Sequence, residues 1–494
     1  MDDVGAPSDA PYDVCILGAG PAGYAAAMRA HDLGKRAALV ERSLVGGAGI
    51  HRGALSSKTL WHISNDFACA RRTDRGYRAD GVTVSFPAVR EAVHAATTER
   101  RAQLEDQLRR LSEPSPRGGV VELVRGSARF VSPYAVEVTR PASSPRLLEA
   151  RSFVIATGSR PRRPPGLDVD GRYVLTSDEI EDLEGFPASL VIVGAGVIGC
   201  EYATILGNFG QTQVSLIDRA PRILPFEDED VAGVIAASFA SLGIRLHGGA
   251  RLDSLRVVDD HVEYVVTTPT GATEVHSVER ALISVGRVPN LDGLGLEAAG
   301  VRVTAAGAVE VHGTQSSQPH IHAAGDATLD VALANVAELE GRHAIETLFG
   351  LAPEPICYDA LSAIMFLKPE VASVGMNELA AKKAGLPYRV ASLSNQLVHR
   401  NIAMRATAGF LKLLAERDSD RILGLRVVGP QASSAIQGVA FLIAKGADLG
   451  AIDRCVHPHP AITEGVQECA RLLLGRSVHK AEVFGGGLLR TGEG

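Results

Sequence analysis

The clearest chemical signal in the sequence is a glycine-rich turn near the N-terminus. Asp13-Val14-Cys15-Ile16-Leu17 leads into Gly18-Ala19-Gly20-Pro21-Ala22-Gly23 and then into an alanine-rich segment. A strand, such a turn and a helix bind a dinucleotide, because the glycines let the backbone approach the pyrophosphate and the helix N-terminus attracts its negative charge. Glu41 ends the next apolar run, where it can accept a hydrogen bond from an adenosine ribose.

The same pattern occurs again in the middle of the chain. Val191-Ile192-Val193 precedes Gly194-Ala195-Gly196-Val197-Ile198-Gly199, and the strand predicted after this turn ends at Asp218. Each turn has a strand before it, a helix after it and an acid at the expected distance, so the sequence predicts two dinucleotide sites. We therefore expect FAD together with a nicotinamide nucleotide, NAD(P)H.

Further segments resemble the FAD-dependent pyridine nucleotide-disulfide oxidoreductases, the family of dihydrolipoamide dehydrogenase. The resemblance covers about residues 12–475, and its motifs are specific in combination. It implies that FAD binds at the first glycine turn and NAD(P)H at the second. It also implies that further residues contact a cofactor, namely Gly46, Gly47, Lys58, Thr157, Gly158, Gly286, Asp326, Leu333 and Ala334.

The resemblance also implies an architecture of the α/β class. We expect two Rossmann-like dinucleotide-binding domains, one for FAD and one for NAD(P), and a C-terminal α+β dimerisation domain. The FAD-binding domain is expected to be discontinuous, over 12–160 and 287–350, with the NAD(P)-binding domain over 166–286. Residues 355–475 form the predicted interface domain of a homodimer, and 476–494 form a tail.

One segment departs from the family where its redox chemistry takes place. In the family this segment has the sequence pattern GGxCxxxGCxPSK, roughly. In this chain it is Gly46-Gly47-Ala48-Gly49-Ile50-His51-Arg52-Gly53-Ala54-Leu55-Ser56-Ser57-Lys58. Gly49 and Ala54 replace the two cysteines, whose thiolates do the chemistry in disulfide reductases. We therefore expect an FAD-dependent enzyme that is not a disulfide reductase and that passes electrons directly to another acceptor.

Four residues match the rest of the family's catalytic machinery. The resemblance implies that Lys58 pairs with Glu201, which follows the second glycine turn, and that the lysine stabilises reduced flavin. His459 and Glu464 match the family's C-terminal HxHPxxxE segment, in which the histidine exchanges protons with the dithiol of the other subunit. A carboxylate partner orients an imidazole and raises its pKa, which suits acid–base catalysis. A role in packing the dimer interface is the alternative for His459.

Two signals conflict over which nicotinamide nucleotide binds. Asp218 favours NADH, because a carboxylate repels the 2′-phosphate of NADPH. Arg219 and Arg222 follow closely and could bind that phosphate. We expect both nucleotides to bind, with NADH preferred.

Composition and charge exclude several other classes of protein. The 494 residues carry a net charge of -7, which indicates no nucleic-acid partner. The six cysteines form no CxxC or CxxxxC pair, so the sequence predicts no metal site. Scattered single thiols fit a reducing compartment. Without an apolar signal core or a membrane-spanning run, we expect a cytoplasmic protein with no membrane partner.

The expected reaction is hydride transfer from NAD(P)H through flavin to a non-disulfide acceptor. Transhydrogenation between NAD(P) nucleotides comes first, because His51 together with Ala54 resembles the soluble pyridine nucleotide transhydrogenases. That group often carries Tyr at the position of His459, which leaves other reactions open. These are reduction of a quinone or another small-molecule electron acceptor, and a flavin dehydrogenase of a specialised small molecule with His459 as acid–base. The non-enzyme alternative is a flavin-binding regulatory paralogue.

Overall fold

The computed structural model describes residues 11–114, 118–480, 483, 485 and 487–492. The described residues form two compact units. The first unit draws on Met1–Leu60, Pro87–Arg162 and Gly286–Ile356, and the second draws on Trp61–Phe86, Arg163–Val285 and Cys357–Gly494. The predicted α/β class is confirmed, since each unit contains a parallel sheet together with helices. The finer division into three domains stays a prediction.

The helices of the described residues, in chain order, are α1 (Pro21–Asp32), α2 (Gly47–His51), α3 (Leu55–Ala70), α4 (Phe86–Leu111), α5 (Val197–Phe209), α6 (Glu229–Ser241), α7 (Leu296–Ala299), α8 (Ala334–Leu348), α9 (Glu378–Lys383), α10 (His399–Ala403), α11 (Ala432–Ala444), α12 (Leu449–Asp453) and α13 (Thr463–Leu473). No helix among these is both long enough and apolar enough to cross a membrane.

The strands of the first unit are β1 (Val14–Leu17), β2 (Arg36–Glu41), β3 (Val120–Arg125), β4 (Ser127–Ser132), β5 (Ala135–Thr139), β6 (Arg146–Glu149), β7 (Phe153–Ile155), β8 (Ser159–Pro161), β17 (Arg287–Pro289), β18 (Val311–His312), β19 (Gln315–Ser316) and β20 (Ile321–Ala323). The strands of the second unit are β9 (Val174–Leu175), β10 (Ser189–Val193), β11 (Gln213–Asp218), β12 (Arg245–Gly248), β13 (Arg251–Val258), β14 (His261–Thr267), β15 (Thr273–Val278), β16 (Arg280–Ile283), β21 (Ser362–Met365), β22 (Val371–Gly375), β23 (Tyr388–Ser394), β24 (Phe410–Glu416), β25 (Ile422–Val428) and β26 (Gly487–Gly492).

The main sheet of the first unit has the strand order β18-β19-β20-β7-β1-β2-β3. β1 pairs in parallel with β2 on one side and β7 on the other. All four residues of β1 are buried, as expected of a central strand that is covered on both faces. The first glycine turn therefore starts at the carboxyl end of a central strand, which is where such sheets bind their ligands.

Close packing of α1 against α8 depends on residues without side chains. A Cβ at Gly341 of α8 would lie 2.1 Å from the carbonyl oxygen of Ala22. Within the turn itself, a Cβ at Gly23 would lie 1.8 Å from the carbonyl oxygen of Gly18. Both distances exclude any larger residue unless the backbone moves, so the glycines fix how the turn, α1 and α8 fit together.

The second unit contains two main sheets. β10 lies at the centre of a parallel sheet with the order β12-β11-β10-β16-β9, and the second glycine turn follows it. The other sheet is antiparallel, with the order β21-β22-β25-β24-β23-β26, and shares an apolar core with α11 and α13. Within the predicted tail, β26 pairs with β23, while residues 481, 482, 484, 486, 493 and 494 lie outside the described residues.

A buried cation holds three acidic side chains together in the second unit. Lys412 lies on β24 with only 2% of its side chain exposed. Its Nζ donates to Asp228 at 2.6 Å, to Asp230 at 2.6 Å and to Glu378 at 3.2 Å. Burial alone would raise the pKa of Asp230, but Lys412, together with Arg490, outweighs it and holds that pKa below its usual range.

Replacing Lys412 with methionine should strongly destabilise the protein. In the Lys412→Met variant Arg490 would still contact Asp230 and Glu378, but buried Asp228 would lose the cation bound to it. We expect a loss of about 3–5 kcal/mol in the free energy of unfolding. Urea denaturation of the FAD-loaded protein measures this loss. The matched control is Lys445→Met, since Lys445 is exposed. Equal stability of the two variants would contradict the proposed role of Lys412.

A buried histidine in the first unit should make stability depend on pH. His322 on β20 is 1% exposed, and its Nδ1 lies 3.0 Å from Thr314 Oγ1. Burial, and to a lesser degree the nearby His343, lowers the pKa of His322 to about 4. An unfolded histidine binds its proton near pH 6.5, so the unfolded chain gains protons before the folded chain does.

We expect the free energy of unfolding to fall as the pH drops from about 6.5 to 4, with His322 contributing up to about 3 kcal/mol of the loss. The variant His322→Asn should lose less stability over this range, although it starts lower at pH 7. Denaturation at pH 7 and pH 5 tests this, with the exposed His94→Asn as the control. Parallel losses in wild type and His322→Asn would rule out the contribution.

Candidate active site

The first glycine turn leads into an uncapped helix N-terminus. Gly18 has a φ of +106°, and a Cβ there would lie 2.3 Å from the carbonyl oxygen of Ala156. Gly20 precedes α1, which begins with Pro21 and has no side-chain cap. Apart from Gly20 and its two neighbours in the chain, no atom of the described residues lies within 4 Å of the position that a Cβ would take at Gly20. The uncapped N–H groups of α1 can therefore bind a pyrophosphate.

Glu41 fixes the shape of this turn from the end of β2. Its buried carboxylate accepts hydrogen bonds from the backbone N–H of Ala19 at 2.8 Å and of Ser43 at 2.7 Å. A carboxylate oxygen has more than one acceptor position, so Glu41 retains capacity for a ribose hydroxyl. The sequence predicted the ribose contact but did not predict these two backbone contacts.

The second glycine turn repeats this geometry. Gly194 has the same φ of +106° as Gly18, and a Cβ at Gly199 would lie 2.0 Å from the carbonyl oxygen of Gly194. Gly196 precedes α5, whose N-terminus has no side-chain cap. The carboxylate of Asp218 accepts from the backbone N–H of Ala195 at 2.6 Å and of Ala220 at 2.7 Å. Both turns therefore have an open, uncapped helix N-terminus and an acid that orients the loop.

A cavity of about 380 Å³ lies beside the second turn, and Asp218 and Arg222 both line it. Arg222 donates hydrogen bonds to the carbonyl oxygens of Leu224 and Pro225, both at 3.2 Å. Arg219 is exposed and is not among the described residues that line this cavity. Arg222 therefore lies in the same cavity as Asp218 and Arg219 does not line it, so the preference for NADH stays a prediction.

β8 and β17 pair in antiparallel fashion in the first unit and form a crossing between distant segments of the chain. Gly158 and Gly286 both have positive φ, at +68° and +100°. Ser159 Oγ donates a hydrogen bond to Asp326, and Arg287 Nε lies 3.8 Å from the same carboxylate. These contacts hold Asp326 at the turn where the resemblance puts the ribityl chain of FAD.

Three features of the first unit fit a bound FAD. Thr157 Oγ1 is buried without a hydrogen-bond partner among the described residues, which leaves it available to a bound molecule. Gly46, with a φ of +100°, donates its N–H to the carbonyl oxygen of Ala19 at 2.8 Å. Leu333 precedes α8, which begins at Ala334 without a side-chain cap. The residues present therefore suit the cofactor that the sequence predicts.

The segment that lacks the two cysteines is closely packed against the first turn. A Cβ at Gly49 would lie 2.7 Å from Pro21 Cγ, so the proline ring occupies the space where a side chain would begin. Ala54 precedes α3, and Gly47 belongs to α2. His51 lies 2.9 Å from the carbonyl oxygen of Val45 through its Nε2, and burial lowers the pKa of His51.

The predicted pair of Lys58 and Glu201 stays a prediction. Lys58 lies in the first turn of α3, and its Nζ is 3.3 Å from Ser57 Oγ. Glu201 lies on α5, is 5% exposed, and accepts a hydrogen bond from the backbone N–H of Phe366 at 3.0 Å. Lys58 belongs to the first unit and Glu201 to the second.

The predicted imidazole–carboxylate pair is formed. His459 Nδ1 lies 2.8 Å from Glu464 Oε1, and the backbone N–H of Ala461 donates to Glu464 Oε2 at 2.8 Å. Burial raises the pKa of Glu464, but these hydrogen bonds outweigh it and hold that pKa below its ordinary value. The side chain of His459 is 64% exposed, so its other ring nitrogen can reach a substrate.

The sequence did not predict that His399 is a neighbour of this pair. The ring of His399, which begins α10, lies 5.2 Å from the ring of His459 between centroids. The two histidines are 60 residues apart, and no motif joins them. Only the fold brings them together.

The first unit also contains a cavity of about 710 Å³ beside Gly49. Its apolar wall includes Pro21, Leu55 and Ala334. Its charged residues come from α1, α4 and α8, and they are Arg29, Asp32, Glu99, Arg100, Glu338 and Arg342. The cavity therefore joins the first glycine turn to the position of the missing cysteine.

Comparison with known proteins agrees with this geometry. The family described as pyridine nucleotide-disulphide oxidoreductase matches residues 12–341, and its dimerisation domain matches residues 361–470. The chain belongs to this family. Members bind FAD and NAD(P)H, so the predicted cofactors are confirmed, and the dimerisation domain supports a homodimer.

Individual members of the family match over nearly the whole chain. A dihydrolipoyl dehydrogenase of Bacillus subtilis is 33% identical over 480 residues, which are 95% of this chain and 99% of that protein. The crystal structure of LpdA from Mycobacterium tuberculosis covers 93% of this chain and 99% of its own, with 28% identity and a TM-score of 0.84. The flavoprotein disulfide reductase RclA from Escherichia coli, at 24% identity and a TM-score of 0.80, covers 93% of this chain and 100% of its own and supports the fold alone.

The expectation that this enzyme is not a disulfide reductase is wrong. Several relatives that match over nearly their full length are dihydrolipoyl dehydrogenases, and they do not point to transhydrogenation, to another non-disulfide acceptor or to a regulatory paralogue. The error has a physical cause. Gly49 and Ala54 show that this segment contains no thiols, but the substrate is selected by the rest of the site.

Removing the charge of Asp218 should change the preference between the nicotinamide nucleotides. We expect wild type to prefer NADH, because the carboxylate repels the 2′-phosphate of NADPH. The Asp218→Asn variant keeps the shape of the side chain and should raise the ratio of kcat/KM for NADPH to that for NADH by about tenfold, equivalent to about 1.4 kcal/mol. Anaerobic reduction of the bound flavin by each nucleotide measures this ratio.

The matched control is Asp260→Asn, since Asp260 is an exposed acid outside the cavity lining. An unchanged ratio in Asp218→Asn would show that Asp218 does not select the nucleotide.

Proposed function

We propose that this protein couples NAD(H) to a small dithiol/disulfide substrate of the dihydrolipoyl type. In the oxidative direction, a dithiol loses two electrons and two protons, a disulfide bond forms, NAD⁺ accepts a hydride, and one proton is released. The match to dihydrolipoyl dehydrogenases over 95% of the chain supports this substrate class. The observation that carries the proposal is the His459–Glu464 pair, which is suited to moving the protons of a thiol.

The two cofactors are held by the two glycine turns. FAD, when bound, supplies a centre that accepts two electrons from one reactant and donates them to the other. Candidate residues for holding it are Gly18, Gly20, Pro21, Ala22, Gly23, Glu41, Gly46, Gly47, Lys58, Thr157, Gly158, Gly286, Asp326, Leu333 and Ala334. Candidate residues for the nicotinamide nucleotide are Gly194, Gly196, Gly199, Asp218 and Arg219.

In this proposal the substrate supplies both sulfur atoms of the reaction. A thiolate on the enzyme would form a mixed disulfide with the substrate, but Gly49 and Ala54 provide no sulfur. Three of the remaining cysteines, Cys15, Cys200 and Cys469, are buried, and burial raises the pKa of each thiol, so they stay protonated and inert. The 710 Å³ cavity beside Gly49 has an apolar wall that suits the aliphatic part of such a substrate.

His459 acts as the proton acceptor in this proposal. Glu464 holds Nδ1 of the imidazole, which leaves Nε2 free to take a proton from a substrate thiol. The carboxylate also stabilises the imidazolium that forms. In a homodimer, the family resemblance implies that His459 of one subunit serves the substrate site of the other.

The variant His459→Gln should greatly slow NAD⁺ reduction by dihydrolipoamide. We expect kcat to fall by about 10²–10⁴-fold, because a general base contributes about that much. The Glu464→Gln variant should lose about tenfold or more, since the imidazole keeps its position less well. Reduction of the bound flavin by NADH should continue in both variants, because it needs no proton from a thiol.

The matched control is His261→Gln, since His261 is an exposed histidine on β14. If His459→Gln retains full activity, the proposed role of this residue is wrong. If NADH reduces the bound flavin but dihydrolipoamide supports no NAD⁺ reduction in wild type, the proposed substrate class is wrong.

A further inference from the structure

The imidazole–carboxylate pair lies within a larger group of potential metal ligands. One ligand atom from each of His399, His459 and Glu464 lies within 4.8 Å of the others. His479 extends the group, because its ring centroid lies 5.7 Å from that of His399. All four residues belong to the second unit, so their arrangement depends on one compact part of the fold.

The ligand set matches the coordination chemistry of zinc. Zn²⁺ binds imidazole nitrogens and carboxylate oxygens at about 2.0–2.2 Å, often with three protein ligands and a water molecule. Tetrahedral geometry with such bonds places ligand atoms about 3.3–3.5 Å apart. Rotation of exposed side chains can close the present separations, since both His399 and His459 are exposed. Mg²⁺ and Ca²⁺ fit poorly, because they prefer oxygen ligands.

The hydrogen bonds of Glu464 leave one of its oxygens facing the group. The backbone N–H of Ala461 occupies Oε2 of Glu464, so Oε1 is directed toward His459. The imidazoles of His399 and His459 offer nitrogen ligands, and the carboxylate of Glu464 offers an oxygen ligand. The elements that meet here are the start of α10, the turn before α13 and the segment after α13.

We propose that His399, His459 and Glu464 bind one Zn²⁺ ion. Bound zinc occupies a nitrogen of His459, so it withholds that imidazole from proton transfer and inhibits the reaction reversibly. The binding site stands on the geometry alone, whereas the inhibition rests on the proposed function. The sequence predicted no metal site because its ligands are spread over positions 399–464 without a metal-binding motif.

Direct measurement of zinc binding tests the site without any turnover. The FAD-loaded, full-length protein is titrated with Zn²⁺ in competition with a chromogenic chelator, and we expect about one ion per chain. The His399→Gln variant should bind at least about tenfold more weakly, since it loses one of three ligands. The control His312→Gln changes an exposed histidine elsewhere and should bind as wild type does.

Cobalt gives an independent spectroscopic measurement. Co²⁺ at a site of low coordination number should give visible absorption bands in wild type and His312→Gln, and these bands should be weak or absent in His399→Gln. Failure to bind zinc stoichiometrically would overturn the site. Equal affinity in His399→Gln and His312→Gln would also overturn it.

Inhibition is tested separately. Zn²⁺ should slow dihydrolipoamide-dependent NAD⁺ reduction in wild type, and His399→Gln should need at least about tenfold more Zn²⁺ for the same inhibition. Binding that depends on His399 but leaves this reaction unaffected would overturn the inhibition and support the site. If dihydrolipoamide supports no reaction at all, the proposed function fails, while the binding measurement still decides the site.

Discussion

Close approach of the backbone at the two glycine turns is the constraint on which the rest of the structure depends. Gly23 faces the carbonyl oxygen of Gly18, and Gly199 faces that of Gly194, at distances that admit no side chain. Each turn is then fixed by an acid, Glu41 or Asp218, that accepts two backbone N–H groups. Because both units contain this arrangement of close-packed glycines and an orienting acid, each unit can bind a dinucleotide through the same kind of backbone contact.

The same constraint affects the segment that has lost its cysteines. Gly49 lies directly beside Pro21, so the first turn and the altered segment form one packed region. The loss of two sulfur atoms therefore removes redox groups without removing the cofactor-binding geometry. It also means that this segment alone cannot identify the substrate. Gly49 and Ala54 exclude a protein disulfide at these positions, but they do not identify the substrate, and the expectation of a non-disulfide acceptor was wrong for that reason.

Local patterns predicted much of the fold and part of the site. The two glycine turns, the acids at the ends of β2 and β11, and the five-residue spacing of His459 and Glu464 are short-range signals, and the structure has each of these elements in the expected form. Contacts between distant segments could not be predicted in this way. His399 approaches His459 across 60 residues, and Gly341 approaches Ala22 across more than 300. Such contacts depend on tertiary packing, which short sequence patterns do not predict.

In the proposed function the protein acts on a dithiol/disulfide substrate without storing electrons in a dithiol of its own. Anaerobic titration of the FAD-loaded protein with dihydrolipoamide tests this proposal most directly. We expect the bound flavin to be bleached with an uptake of about two electrons per FAD, and no long-wavelength thiolate-to-flavin band to develop. Uptake of about four electrons with that band, or a flavin that dihydrolipoamide cannot bleach, would contradict it.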